Sequence, residues 1–465
     1  MARVRRPDSL VGAIGKHLAL IGFMGAGKTT IGREVAELTQ RPFVDTDAEI
    51  ERRHGPIPEL FERGEPEFRQ LEEAIVTDVL RVEEPAVIAL GGGALESVET
   101  RALLRRRAFT AYLDVDVAVA WERAAASDRP LARQETAFRA LYEARLPVYR
   151  DSADAVAKGV DDVLLASLGV GAEPGEGPFA VVADERVLAL HDPPVDGKIV
   201  AVPPGEAAKQ IRVAERVWDE LELDRHGTVV GFGGGTTTDL AGFAAATYLR
   251  GLDWVAVPTT LVGQVDAAIG GKTGIDLGKG KNLVGAFHYP RAVRLDPSFL
   301  STLPGEERQA GMAEVVKTGL LAGEDLWELP EAKMVRAAAA FKCAVCLSDP
   351  FERSGRRSIL NLGHTFAHAL EAASDFRLRH GDAVALGLGA ALRLSGQPTA
   401  VVDDLLRPQP VRVDRERAWA AMRRDKKAID GRLRLVLLDG PGRPRFPAEL
   451  PEADVRAALD SLIAD

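Results

Sequence analysis

The chain is poor in cysteine, with Cys343 and Cys346 its only two in 465 residues. This excludes a disulfide framework and suits a reducing compartment. Their C-x-x-C spacing lacks the second pair that a structural zinc site needs, so they read as small buried side chains on a packed helix. No uncharged apolar run reaches the roughly 18 residues of a membrane span. The basic start, Met1-Ala2-Arg3-Val4-Arg5-Arg6, is not followed by the apolar stretch and cleavage site of a signal peptide. Long Lys/Arg runs are missing, and a net charge of −10 disfavours a nucleic-acid surface. These absences leave a cytoplasmic enzyme with small-molecule substrates and neither nucleic acid nor membrane as a partner.

A composition of 46% hydrophobic and 28% charged residues is that of a globular protein, long enough for about three folding units. Residues 17–23 form an apolar run ending in a glycine-rich turn, and a helical stretch follows from Thr29 to Gln40. Val44 and Ala86–Leu90 look like further strands, and the alternation predicts an α/β fold built on a parallel sheet. Residues 169–178 are six-tenths Gly or Pro, a linker signature. Apolar runs at 179–183, 198–202, 228–235 and 254–258 begin a second α/β set. From Pro304 onward Ala/Leu/Arg-rich stretches predict a helical lobe. The expected organisation is 1–168 as a P-loop domain, 169–178 as linker, 179–303 as a nucleotide-binding α/β domain and 304–465 as a helical metal- and substrate-binding domain.

Gly22-Phe-Met-Gly25-Ala26-Gly27-Lys28-Thr29-Thr30 fits the G-x-x-x-x-G-K-[ST] pattern between a strand and a helix. Its amides can cradle phosphates, Lys28 can reach the terminal ones, and the Thr29 hydroxyl can ligate Mg²⁺. Asp45 and Asp47, two apart on what reads as a strand end, would point to one side. One would serve the magnesium shell and the other an acceptor hydroxyl.

These pieces, with Glu67-Phe-Arg69-Gln-Leu-Glu72, Leu90-Gly-Gly92-Gly-Ala, Asp128-Arg129-Pro-Leu and Arg145-Leu-Pro-Val-Tyr, resemble shikimate kinase over about residues 16–165. The resemblance implies ATP and Mg²⁺ as cofactors, with Asp45 near the magnesium. Asp47 would bind shikimate hydroxyls and help deprotonate one. Arg69 and Arg145 would clamp the carboxylate, for which bidentate guanidinium is suited. Gly92 would pass close to the substrate, and Arg129 would touch ATP phosphates from a lid shorter than usual in the family.

In the second half, Gly231-Phe-Gly-Gly-Gly235-Thr-Thr-Thr238-Asp239 follows a strand and opens a helix, as a pyrophosphate loop does. Lys272 and Lys281 lie in glycine-rich segments of an acidic protein and suggest a multiply anionic ligand. His364, His368 and His380 are three of only eight histidines, the first two one helical turn apart. With Glu314, one turn from Lys317, His364 and His380 offer two nitrogens and a carboxylate, leaving coordination positions open as catalytic zinc requires.

These blocks, together with Pro258-Thr259-Thr260, Gly271-Lys-Thr-Gly, Gly280-Lys-Asn282-Leu, Arg357-Ser-Ile-Leu-Asn361-Leu-Gly-His-Thr and Asp425-Lys426-Lys427, resemble 3-dehydroquinate synthase over about residues 178–440. The resemblance implies cyclisation of a seven-carbon keto-sugar acid phosphate, with NAD⁺ reduced and reoxidised in each turnover. Glu314, His364 and His380 would hold Zn²⁺ or Co²⁺. Glu206, Lys209, Gly235, Asp239, Thr259, Thr260, Lys281, Phe299 and Thr302 would hold NAD⁺. Lys272, Asn282, Lys317, Lys342, Arg357, Asn361, His368 and a lysine of the 426–427 pair would surround the substrate anions, and Asp266 its hydroxyls. Arg250 would reach the site of a neighbouring subunit, implying a homodimer. Thr238 stands where the family places glycine and is expected to crowd the pyrophosphate.

The whole chain therefore reads as a bifunctional shikimate-pathway enzyme. Alternatives are another small-molecule P-loop kinase or nucleotide sensor in front, and another sugar-phosphate cyclase or a zinc polyol dehydrogenase behind.

Overall fold

The computed structural model describes residues 12–125, 134–278, 280–424 and 433–465. The chain divides into two compact units, one of Met1–Val170 with Cys343–Ser348 and the other of Gly171–Lys342 with Asp349–Asp465.

The first unit is built on five parallel strands, β1 His17–Ile21, β2 Phe43–Asp45, β3 Val87–Ala89, β4 Ala108–Leu113 and β5 Ala155–Ala157, in the order β2-β3-β1-β4-β5. Every residue of β1 is buried, as expected of a central parallel strand covered on both faces. Ala19, Ile21, Ile88 and Tyr112 of the sheet join Phe68, Ile75, Val76, Phe138 and Tyr149 of the helices in one core. Strand order reverses around β1, so the loop after it opens at the switch point where parallel sheets bind ligands. Phe23 of that loop is fully buried, edge-on to Phe138 (4.8 Å) and Tyr142 (5.3 Å), which ties the loop to the core.

In the second unit, β6 Phe179–Asp184, β7 Lys198–Val202, β8 Thr228–Gly233, β9 Asp253–Pro258 and β12 Ala292–Val293 form a parallel sheet ordered β12-β9-β8-β6-β7. Between them lies an antiparallel hairpin, β10 Lys272–Leu277 and β11 Gly280–Phe287. Its register pairs Gly274 with Gly285, where the backbones approach so closely that a Cβ on Gly285 would sit 2.2 Å from the Thr273 carbonyl oxygen. The glycine-rich segment before β6 is anchored on this unit: the Gly171 amide donates to the Val293 carbonyl at 2.8 Å, and Arg291 bonds the Pro174 carbonyl.

The helical lobe contains Gly305–Ala322, Glu331–Ser348, His364–Ala373, His380–Leu394, Arg415–Arg423 and Glu452–Asp460. It also carries an antiparallel hairpin, β13 Leu435–Leu438 and β14 Pro444–Ala448, which the composition of this region did not reveal. Cys343 and Cys346 are both buried on their helix and form no disulfide.

Glycines fix how closely the helices of the lobe cross. A Cβ on Gly387 would lie 2.1 Å from the Gly363 carbonyl oxygen, and one on Gly381 would lie 2.2 Å from the Ala310 backbone. The helix beginning at His380 is thereby pressed against both the helix beginning at His364 and the one carrying Glu314. Gly389, on the same helix, meets nothing nearer than 3.4 Å. Gly387→Ala should therefore destabilise the second unit by about 1–3 kcal/mol through overpacking, whereas Gly389→Ala should be neutral or stabilising by up to about 1 kcal/mol. Urea unfolding of the two variants checks this, and equal midpoints would contradict it.

Candidate active sites

In the first unit Gly25 (φ 82°) and Gly27 (φ 87°) take left-handed conformations that favour glycine, and helix Lys28–Thr39 starts directly after them. A Cβ on Gly25 would lie 2.4 Å from the Ala120 carbonyl oxygen. Lys28 Nζ donates to the Gly22 and Phe23 carbonyls at 2.8 and 3.1 Å, so the ammonium lies along the loop it is expected to serve. The Thr29 hydroxyl donates to Asp45 Oδ2 at 2.6 Å, bringing together the two groups that the sequence pattern links to magnesium. Beside them opens a cleft of about 1010 Å³ lined by Ala26, Gly27, Thr30, Asp116, Arg123, Tyr142 and Lys158, among others.

Asp45 and Asp47 do not share a strand face, as the spacing suggested. Asp45 ends β2 and caps the helix Thr46–His54, its Oδ1 accepting from the amides of Asp47 (3.1 Å) and Ala48 (3.3 Å). The helix starts there because a capping carboxylate satisfies amides that would otherwise be unpaired. Asp47 faces Gly91, where a Cβ would come within 2.5 Å of its Oδ1 and 2.6 Å of Glu72. At Gly93 a Cβ would come within 2.1 Å of the Arg69 guanidinium.

The glycine triplet thus lets backbone pass among Asp47, Glu72 and Arg69, and Gly92 lies between, its carbonyl accepting from the Tyr149 hydroxyl at 2.6 Å. Arg69 holds Glu72 at 2.7 Å, while Arg145 bonds Glu96. Burial pushes the Glu72 carboxyl up, with Arg69 opposing. Arg129 lies outside the described residues, as does the short lid around it.

In the second unit β8 ends in Gly233, and helix Gly235–Thr247 begins two residues later, beside the switch point between β6 and β8. A Cβ on Gly235 would lie 2.8 Å from that of Ala267, and one on Gly234 would lie 3.1 Å from Thr260 Cγ2. Glycine at these positions therefore lets the turn pack closely against Ala267 and Thr260. Thr238 does not crowd it: the side chain is buried and its hydroxyl donates to the Gly235 carbonyl at 3.0 Å, turned back along the helix.

Lys209 is buried against Asp239 at 2.6 Å and also bonds Asn282; Lys281 pairs with Glu206 at 2.9 Å. Burial raises the Asp239 carboxyl and Lys209 opposes this. Thr302 and Phe299 both meet His191, the first by a 2.7 Å hydrogen bond and the second as an edge-on ring. Thr259 is buried, and the Thr260 hydroxyl accepts from the Gly263 amide at 3.1 Å.

The three helices of the lobe bring Glu314, His364 and His380 together, with one ligand atom from each lying within 4.8 Å of the others. Glu314 Oε1 is 3.5 Å from His364 Nε2 and 3.4 Å from His380 Nε2, and Oε2 contacts the buried Lys317 ammonium. Neither buried carboxylate oxygen receives a well-directed hydrogen bond. Burial would raise the Glu314 carboxyl, yet Lys317 and the two histidines hold it well below the ordinary range. Burial and Lys317 push His364 down to about 4. His380 is opposed by burial but lifted to about 10 by Glu314 and Glu371. Two imidazoles and an undersatisfied carboxylate at this spacing fit a divalent ion with a position left open.

His368 lies one turn from His364, their ring centroids 5.5 Å apart. Asp266 links the metal cluster to the lysines, 3.5 Å from Lys317 and in contact with Lys342. Arg357 is buried, donating to the Gly270 and Pro350 carbonyls at 3.0 and 3.2 Å. Asn361 donates to the Ser358 carbonyl, and Lys272 bonds Glu352 at the surface. Arg250 is exposed with φ 70° in the turn after helix Gly235–Thr247. Lys426 and Lys427 lie outside the described residues.

Glu371 was missing from the sequence reading. Its carboxylate is buried 3.3 Å from His380 Nδ1, orienting that ring. A signal existed, because Glu371 lies seven residues after His364 on one helical face.

A phosphate-cradling kinase unit followed by a dinucleotide- and metal-binding unit is the class these sites define. Family models match shikimate kinase at residues 24–163, the 3-dehydroquinate synthase N-terminal domain at 199–310 and its C-terminal domain at 311–428. The 3-dehydroquinate synthase of Salinibacter ruber is 39% identical over 360 residues, covering 69% of this chain and 95% of that one. That of Mycolicibacterium vanbaalenii is 42% identical over 305 residues, covering 59% and 84%. A structure of the 2-epi-5-epi-valiolone synthase ValA from Streptomyces hygroscopicus, with NAD⁺ and Zn²⁺ bound, matches with a TM-score of 0.56 and 26% identity, covering 64% of this chain and 92% of that one.

The chain belongs to the 3-dehydroquinate synthase family and carries a shikimate kinase domain ahead of it. It is a bifunctional shikimate-pathway enzyme. Its reactions are ATP-dependent phosphorylation of shikimate and cyclisation of 3-deoxy-D-arabino-heptulosonate 7-phosphate to 3-dehydroquinate with loss of phosphate.

Glu371→Gln should weaken metal binding about 10- to 100-fold, the usual cost of losing the carboxylate behind a ligating histidine. Chelator competition measures it, and an unchanged affinity would contradict the orienting role.

Proposed function

We propose that the cyclisation centre is the site of Glu314, His364 and His380, which hold zinc or cobalt. The observation that carries this reading is the approach of both imidazoles to one buried, undersatisfied carboxylate. NAD⁺ would be held at the glycine cradle of 233–235 by Glu206, Lys209, Asp239, Thr259, Thr260, Lys281, Phe299 and Thr302. Bound metal and nicotinamide supply polarisation of the substrate alcohol and temporary removal of its hydride.

The chain's own groups position and screen charge. Lys272, Asn282, Lys317, Lys342, Arg357, Asn361, His368 and one of Lys426 and Lys427 gather the carboxylate and phosphate, and Asp266 orients the hydroxyls. The leaving phosphate then takes the neighbouring proton, so no protein base of matched pKa is required. Arg250 completes the site of a second copy, making the working unit a homodimer.

In the kinase unit, Lys28 and Arg129 stabilise the transferring phosphoryl group, while Thr29 and Asp45 serve magnesium. Asp47 accepts the proton of the attacking hydroxyl, and Arg69 and Arg145 fix the shikimate carboxylate against the backbone at Gly92. The enzyme works in the cytoplasm, its two sites independent because their reactions are not consecutive.

The test is incubation with the seven-carbon substrate, NAD⁺ and zinc. Phosphate should be released without accumulation of reduced nicotinamide; net NADH would instead indicate a polyol dehydrogenase. Lys28→Met and Asp47→Asn should each lower shikimate-dependent ADP formation by about 100-fold or more and leave phosphate release from the cyclase intact. Glu314→Gln should do the reverse. Loss of both activities in any one folded variant would refute independent sites.

A further inference from the structure

Glu96 closes a short 3₁₀ turn, Ala94–Glu96, directly after the glycine triplet, and Ser97 behind it caps the helix Val98–Arg107. That placement carries the Glu96 carboxylate to the same two arginines assigned to the substrate. Oε1 bonds Arg145 Nη2, and Oε2 lies 3.6 Å from Arg69 Nε.

The partners of Arg69 differ in burial. Glu72 is 4% exposed and holds it at 2.7 Å, whereas Glu65, at 3.0 Å on the same helix, is 56% exposed and the Glu96 side chain 49% exposed. Both arginines also keep a buried Nε–H without a hydrogen-bond acceptor. A planar carboxylate entering between them would gain donors that Glu96 leaves unsatisfied.

We propose that Glu96 is an internal substitute for the substrate carboxylate: it occupies the Arg69–Arg145 pair in the empty kinase site and is displaced when substrate binds. The inference rests on the kinase reading above. Charge makes the substitution useful chiefly at Arg145, which is buried and pairs with Glu96, whereas Arg69 is also held by Glu72 and Glu65. Glu96 keeps both arginines in position at the expense of substrate affinity. A half-exposed ion pair is a weak competitor, worth a few-fold in binding.

Neutralising Glu96 should therefore tighten binding of a carboxylate substrate. In full-length protein, Glu96→Gln is expected to lower the KM for shikimate about two- to five-fold, with kcat moving less than KM. Glu96→Ala should act in the same direction, which guards against a glutamine-specific contact. A shikimate analogue bearing a hydroxymethyl group in place of the carboxylate should show no such gain.

Unchanged KM in both variants, or a rise in KM, would overturn the proposal; a rise would make Glu96 a mere support for the arginines. An equal gain for the analogue would also overturn it. If the unsubstituted protein forms no ADP on addition of shikimate, the kinase reading itself fails, an outcome distinct from these.

Discussion

Glu314 is 1% exposed, and its charge could not be held there without compensation. Lys317, one turn along the same helix, supplies the nearest positive charge, and His364 and His380 converge from two other helices. The rest of the lobe serves this convergence. Gly363, Gly381 and Gly387 allow backbones to touch where any side chain would hold them apart, and Glu371 orients His380 from behind. Through Asp266 the same charge network reaches Lys342, so the Glu314–His364–His380 cluster and these lysines form one electrostatic unit.

The two units solve the anion problem alike. In each, a parallel sheet reverses its strand order and a strand leads through glycines into the start of a helix. The start of a helix favours an anion through its dipole and its spare amides. Lys28 in one unit and Lys209 in the other place an ammonium near the cradle. Lys28 lies on the loop's own carbonyls, whereas Lys209 is buried against Asp239.

Much of this was legible in sequence because glycines, lysines and histidines at fixed spacings report backbone requirements directly. The P-loop, the second glycine cradle and the Glu314–His364–His380 set are of this kind. Strand-to-helix transitions were less legible. Asp45 and Asp47 looked like one strand face, but the capping preference of Asp45 turned the chain into a helix between them. Thr238 looked obstructive because sequence does not give a rotamer, and its hydroxyl in fact bonds its own helix. The hairpin at 435–448 and the side chains behind the sites, Glu96 and His191 among them, depend on tertiary approach. No local pattern encodes that approach.

The most direct test of the central claim is the location of metal in the full-length protein. Crystals grown with zinc and measured at its absorption edge should show one anomalous peak per chain in the second unit. The account predicts that peak about 2.0–2.2 Å from Glu314, His364 and His380 together. A peak bound elsewhere, or one lacking the Glu314 carboxylate, would contradict it.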